Sequence, residues 1–290
     1  MGDLEMKQYV NVGCGQRYLS DWINIDMVSS GPGVMAFDLT QGIPLNNESC
    51  QVVYNSHFLE HLRHKDALPF IGECYRVLKP GGILRVVVPD LEQISRAYLE
   101  TLEAVTLSET ENMHDYDWVV IELLDQCVCE NRGGEMKQYL TQEHIPNEDS
   151  VIERIGEPAR ELRALANSRK SERSGRDVNL ATNFDMRMRL GGLRLRVKRR
   201  LIKYMLGENN FRSLQLGRFR ESGEVHQWMY DRYSLRRLFI RAGFSDICIQ
   251  TARSSLIPGW IEFNLDTTTD GLIRRPNSLY MEAGKALSEI

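Results

Sequence analysis

No C-x-x-C pair occurs among the six cysteines of this 290-residue chain, which stand at 14, 50, 74, 127, 129 and 248 without a framework spacing. That excludes a disulfide scaffold or a paired-thiolate zinc fold as the organising device, and reduced thiols are the expectation. Cys127-x-Cys129 reads as two helix or loop residues. No apolar run approaches the ~18 residues that a membrane span needs. The start, "MGDLEMKQYVNVG", has no signal-peptide core. Positive charge is not in excess either: the net charge of −4 argues against a general polyanion binder. These absences point to a cytoplasmic protein. What is present, 42% hydrophobic residues, suffices for one α/β core and an appended region.

The first ninety residues alternate short apolar runs with turns. "QYVNVG" breaks into Gly13-Cys14-Gly15, and "DWINIDMV" ends near Asp26. "GVMAFDL" carries Asp38 near its end, and "CQVVYNS" follows. "ALPFIGECYRVLKPGG" reads as a helix with Asp66 as cap, Pro69 in its first turn and Pro80-Gly81-Gly82 as stop. "ILRVVVPD" is apolar along its length, as a central parallel strand is. The pattern predicts a parallel sheet with ligands at the carboxyl ends of its strands. Gly13, Gly15, Asp26, Asp38, Asn55 and His57 all fall at those ends. A carboxylate after the second strand suits the two hydroxyls of a ribose.

The third glycine of a dinucleotide fingerprint is missing. After Gly13-Cys14-Gly15 come Gln16, Arg17 and Tyr18, and the first crossover has room for little more than one helical turn. A pyrophosphate site, and with it a nicotinamide oxidoreductase, is disfavoured.

Together "VNVGCG", "WINIDM", "FDLTQGIPLNNESCQVVYNSHFLEHL" and "ECYRVLKPGGILRVVVPD" resemble class I S-adenosylmethionine-dependent methyltransferases, in the group that reads N-x-G-C-G, G-W-x-N-x-D and L-E-H. "WMYDRYSLRRLFIRAGFSDICIQTA" and "NSLYMEAGKA" resemble the sixth and seventh strands of that fold. The resemblance implies a Rossmann-like, seven-stranded, mostly parallel α/β sheet with an antiparallel last strand. It implies S-adenosylmethionine as cofactor. Gly13, Cys14 and Gly15 would pass its methionine part, and Asp26 would take its ribose. Asp38 and Leu39 would lie by the adenine. Asn55, Ser56 and His57 would border sulfonium and substrate. Two departures stand out: Arg17 replaces the usual third glycine, and the first two crossovers are short.

"YNSHFLEHLRH" contains His57-x-x-Glu60-His61, the spacing of inverted zinc peptidases. The helix there is too short for that fold. On a helix His57, Glu60, His61 and His64 would share one face. Three readings stay open. Glu60 and His61 serve packing and the helix start; or His57 is a general base; or the string holds a divalent metal with His57 as first ligand, as similar strings do in some O-methyltransferases. No metal ligand is assigned. Asn55-Ser56-His57-Phe58 lacks the prolines of the N-P-P-Y motif, which turns the expectation towards O-methylation of a small molecule or a sugar or glycan precursor. A non-catalytic cofactor-binding adaptor is the rival reading.

Residues 1–98 and 224–290 are expected to form the methyltransferase domain, and 99–223 a helical insertion that closes its pocket. Residues 100–161 hold 16 acids against 4 bases, and 163–220 the reverse, 16 bases against 4 acids. The basic helix at 187–206 suits peripheral membrane contact or an anionic substrate. Its aromatics are too sparse for nucleic acid. "GEVHQWMYD" after the insertion offers His226 as a second base candidate. Oligomeric state is not legible.

Overall fold

In the computed structural model the described residues are 8–174 and 186–287, with side chains at 109–111 and 169–199 outside the description. Seven strands form one sheet in the order β3-β2-β1-β4-β5-β7-β6. They are β1 Tyr9–Val12, β2 Ile23–Asp26, β3 Val34–Ala36, β4 Cys50–Ser56, β5 Leu78–Pro89, β6 Ser245–Gln250 and β7 Ser278–Gly284. The pairs β1–β2, β2–β3, β1–β4 and β4–β5 are parallel. Only β7 runs against its neighbours, β5 and β6. This is the expected seven-stranded α/β architecture with an antiparallel last strand.

The crossovers are shorter still than the sequence suggests. No helix joins β1 to β2 or β2 to β3, and a 3₁₀ turn, Leu39–Gln41, precedes β4. Helix α1, His64–Val77, covers one face because Ala67, Phe70, Ile71, Cys74 and Val77 recur at helical spacing and are all buried. Two details correct the sequence reading. The helix opens at His64 with Arg63 as an N-cap that makes no side-chain bond, so Asp66 does not cap it and Pro69 lies in the second turn. β5 begins at Leu78 and runs through Pro80-Gly81-Gly82, where the sequence suggests a stop.

The long insertion is helical. α2 (Leu91–Leu107) starts directly after β5, with the Asp90 carboxylate accepting from the backbone of Glu92 and Gln93. Then come α3 Glu109–Val128, α4 Gly134–Leu140, α5 Glu148–Ile155, α6 Glu157–Ser174 and α7 Met186–Arg220, the last interrupted at Gly207. α2 to α6 enclose a core of their own around Trp118, Leu140, Val151, Ile155 and Ala159. Charges of the two halves meet at Arg163–Glu148 (2.6 Å) and Arg212–Glu130 (3.2 Å). Tyr230 then bridges to Asp90, and α8 (Arg232–Arg241) returns the chain to β6. Among the described residues no helix is long and apolar enough to cross a membrane.

Candidate active site

A cleft of about 460 Å³ opens at the carboxyl ends of β1 and β4. Its floor is the glycine turn. Gly13 has φ +71°, and a Cβ there would stand 2.6 Å from the Phe58 ring. Glycine is thus required twice over, by conformation and by space. Gly15, at φ +55°, has nothing near the position of a Cβ, so the turn is open on the cleft side. Asp26 braces this turn: the Gly15 N–H donates to its Oδ2 at 2.7 Å, while Oδ1 has only a 3.5 Å contact from the Val28 N–H. Burial, and then the Asp26 charge, push the Cys14 thiol up to about 12. Cys14 is a lining group and not a nucleophile.

Ser56, His57, Arg275 and Leu265 form the next wall. The insertion supplies the last one, with Glu157 and Glu161 of α6. Gly156, at φ +79°, lets the start of α6 press on the 274–276 segment; a Cβ would meet the Arg274 carbonyl oxygen at 2.4 Å. Glu157 then pairs with Arg17 and, at 2.5 Å, with Arg274. The arginine that replaces the third glycine therefore ties the glycine turn to the insertion. Arg17 and Glu157 carry no local sequence signal for this role, because they pair across 140 positions, and nothing local marks Glu161 or Arg275 as lining the same cleft.

The candidate residues divide into groups. Gly13, Cys14, Gly15, Ser56 and His57 line the cleft. Asn55 lies behind it, fully buried, its Nδ2 donating to the Val12 carbonyl at 3.0 Å. Its Oδ1 has no hydrogen-bond partner among the described residues. Asp38 caps the 3₁₀ turn by accepting from Thr40 N (3.0 Å) and Oγ1 (2.7 Å), and the Thr40 bonds hold its pKa below the ordinary value. Leu39 borders a separate depression of about 350 Å³ with Gly42 and Phe70. His226 is not on the cleft but behind His57.

His57 adopts φ +51°, unusual for a non-glycine residue. Its Nδ1 is 3.1 Å from Glu60 Oε1, and its Nε2 is 3.0 Å from Ser278 Oγ. Burial, then the charge of Arg275, lowers its pKa, so the ring is neutral near pH 7. Glu60 is fully buried. Its backbone carbonyl accepts from Gln227 N (2.7 Å) and Trp228 N (3.2 Å), which pins the segment after the insertion onto the His57 turn. This brings His226 against His61, ring centroids 4.8 Å apart and nearly perpendicular. His64 does not join them; it stacks on Trp228 at 4.1 Å. Burial works to raise the Glu60 pKa, and the hydrogen bond from His57, first among the opposing causes, outweighs it and holds the value at about 2. Burial lowers His226 to about 3. A neutral His226 offers no cation to Glu60, so the carboxylate leans on the Nδ1–H of His57.

Residues 10–86 match the model of a family described as a methyltransferase domain. A stretch of 48 residues is 44% identical to a probable S-adenosylmethionine-dependent methyltransferase of Mycolicibacterium smegmatis, covering 17% of this chain and 18% of that protein's length. Two solved structures align along nearly the whole chain with low similarity. A methyltransferase from Thermotoga maritima is 11% identical, with 98% of this chain and 87% of that one covered and a TM-score of 0.40. One from Archaeoglobus fulgidus is 11% identical, with 97% and 86% covered and a TM-score of 0.38.

Proposed function

We propose that this chain, which carries a class I, S-adenosylmethionine-dependent methyltransferase domain, transfers a methyl group to a hydroxyl of a small molecule or of a sugar or glycan precursor. The observation that carries the reading is the cleft, where the glycine turn, His57 and the acidic end of α6 face one space. The residues fit the cofactor. The turn around Gly15 is an open cradle, Asp26 keeps one oxygen without a close partner, and about 460 Å³ falls within the ~300–1,000 Å³ of ligand pockets. When bound, S-adenosylmethionine supplies an electrophilic methyl group on a sulfonium centre. Gly13, Cys14 and Gly15 would hold its methionine part and Asp26 its ribose.

The chain's own work is alignment and proton handling. With Nδ1–H turned to Glu60, His57 keeps its lone pair on Nε2, where the Ser278 hydroxyl donates to it. A neutral imidazole at the cleft wall can take the proton that an acceptor hydroxyl loses as the new bond forms, once that hydroxyl displaces the Ser278 hydroxyl from Nε2. Glu157, Glu161, Arg17 and Arg275 present carboxylate and guanidinium groups to the same space, a set that suits a polyhydroxylated acceptor. Peripheral membrane contact is supported by Leu201, Tyr204 and Met205, exposed beside Arg200 and Lys203; the rest of the 187–206 side chains lie outside the described residues.

Calorimetric titration with S-adenosylmethionine and S-adenosylhomocysteine tests the cofactor assignment. Binding is expected in the wild type and lost in Asp26→Ala. A wild type without affinity for either sinks the reading. Binding followed by no product with any of a panel of sugars and nucleotide sugars supports the adaptor instead.

A further inference from the structure

Behind His57 lies a buried group of polar atoms that the methyl-transfer reading leaves without a task. Glu60 is fully buried, yet its carboxylate meets only His57 Nδ1, at 3.1 Å on Oε1, and Oε2 has no hydrogen-bond partner among the described residues. His226 Nδ1 and the Tyr230 hydroxyl are buried and equally unpartnered there. Native interiors rarely leave such groups unbonded, because their lost hydration is then not replaced. One ligand atom each from Glu60, His61 and His226 lies within 4.8 Å of the others.

We propose that Glu60, His61 and His226 form a binding site for a divalent transition-metal ion of the zinc class. Two imidazoles and one carboxylate are the donor set of open, three-ligand sites, with bonds of about 2.0–2.2 Å. Magnesium and calcium prefer an all-oxygen set and fit poorly. The tautomer of His61 is already correct. Its Nδ1 faces the Val225 carbonyl at 3.3 Å, and a carbonyl can only accept, so Nδ1 carries the hydrogen and Nε2 the lone pair. Backbone bonding of this kind is what orients metal-bound imidazoles. His57 supplies the same service to Glu60, its Nδ1 directed at Oε1. Both imidazole ligands keep partial exposure, so an ion has a way in.

One of the three readings open in the sequence has His57 as first ligand, next to Glu60 and His61. The fold instead brings in His226, 165 positions beyond His61, through the bonds of residues 227 and 228 to the Glu60 carbonyl. The inference rests on this geometry and stands whether or not methyl transfer is the reaction. If it is, an ion on Glu60 adjoins the proposed base, His57, and its open positions can take an acceptor oxygen.

The test uses the full chain, stripped with chelator and titrated with Co²⁺ and Zn²⁺. One ion per chain is expected, with Co²⁺ giving the visible absorption of a four- or five-coordinate site. Glu60→Gln and His226→Ala should each weaken binding by more than about 100-fold, beyond the loss seen for outer-shell changes, while S-adenosylhomocysteine binding is kept. If Glu60→Gln does not fold, His226→Ala and His61→Ala, at partly exposed positions, carry the comparison. Absence of stoichiometric uptake by the wild type overturns the proposal. So does unchanged binding in the variants, or binding lost in Cys127→Ser or Cys129→Ser instead. Ion uptake without any cofactor affinity leaves the site standing and removes the methyltransferase reading.

Discussion

Two buried charged clusters sit on this sheet, and they are built in opposite ways. Arg85 on β5 is fully buried and saturated: it reaches Asp266 at 2.7 Å, Glu282 at 2.6 Å and the carbonyls of Thr251 and Ser254. Asp266 also accepts from the Tyr54 hydroxyl at 2.6 Å and from Trp260 Nε1 at 3.2 Å. Strand register makes this possible, since Tyr54, Arg85 and Glu282 face one another across β4, β5 and β7. Glu60 is buried as completely as Arg85, its neighbours His61 and His226 only partly, and the group has almost none of that bonding. A saturated charge network fixes which strands and loops meet. An unsaturated one beside a cleft has its bonding capacity in reserve, and that capacity is what a ligand uses.

The comparison breaks most visibly at Arg85. Arg85→Met leaves Asp266 and Glu282 buried without a counter-charge, and about 3–5 kcal/mol of stability should be lost in denaturant unfolding. A loss below about 1 kcal/mol would mean that saturation is not what the network contributes. At the other cluster the expected loss is in turnover. His57→Gln should fold and bind S-adenosylhomocysteine, yet slow methyl transfer by about 10²- to 10⁴-fold if the ring is the base. Unchanged turnover would reduce His57 to a wall of the cleft. Gly13→Ala is a smaller structural insult. The positive φ costs of order 1–3 kcal/mol, and the Phe58 ring must shift, so cofactor affinity should fall along with stability. Full affinity in that variant would place the cofactor away from the glycine turn.

The sequence announces the saturated half of the molecule better than the unsaturated half. Apolar runs ending in Gly13, Asp26 and Asp38 locate the strands, because burial of parallel strands leaves a continuous signature. "NSLYMEAGKA" marks the closing strand only through its resemblance to the seventh strand of class I methyltransferases. Nothing local marks Asp266 as the partner of Arg85, 181 positions earlier, or His226 as a neighbour of Glu60. Those pairs exist only once the sheet and the insertion have folded. The helical face expected for His57, Glu60, His61 and His64 fails for a local reason: the backbone forms a 3₁₀ turn over Leu59–His61 and restarts at His64, which sends His64 to Trp228. Pro69 misleads in the same way, because the helix accepts it in the second turn as part of a long buried stripe.

The smallest effect tests whether the two clusters are mechanically separate. Asp231 caps α8 by accepting from Tyr233 N at 2.9 Å and Ser234 N at 2.7 Å, with Ser234 Oγ accepting in return from Asp231 N at 2.9 Å. Those backbone bonds, the Ser234 bond first, hold the Asp231 pKa below its ordinary 3.8. A depressed carboxylate adds stability above the unfolded value and loses it as pH falls through the folded one, so the cap should weaken below about pH 3.8. Asp231→Ala should cost about 1 kcal/mol, and its deficit relative to wild type should shrink in acid, where the wild-type cap is also lost. Because residue 231 lies three positions past Trp228, whose N–H and that of Gln227 bond the Glu60 carbonyl, faster amide exchange is expected at Gln227 and Trp228. The amides of β5 and β7 around Arg85 should keep their protection. Equal acceleration at both would show that the saturated network and the site behind His57 open as one unit, and the division drawn between them would fall.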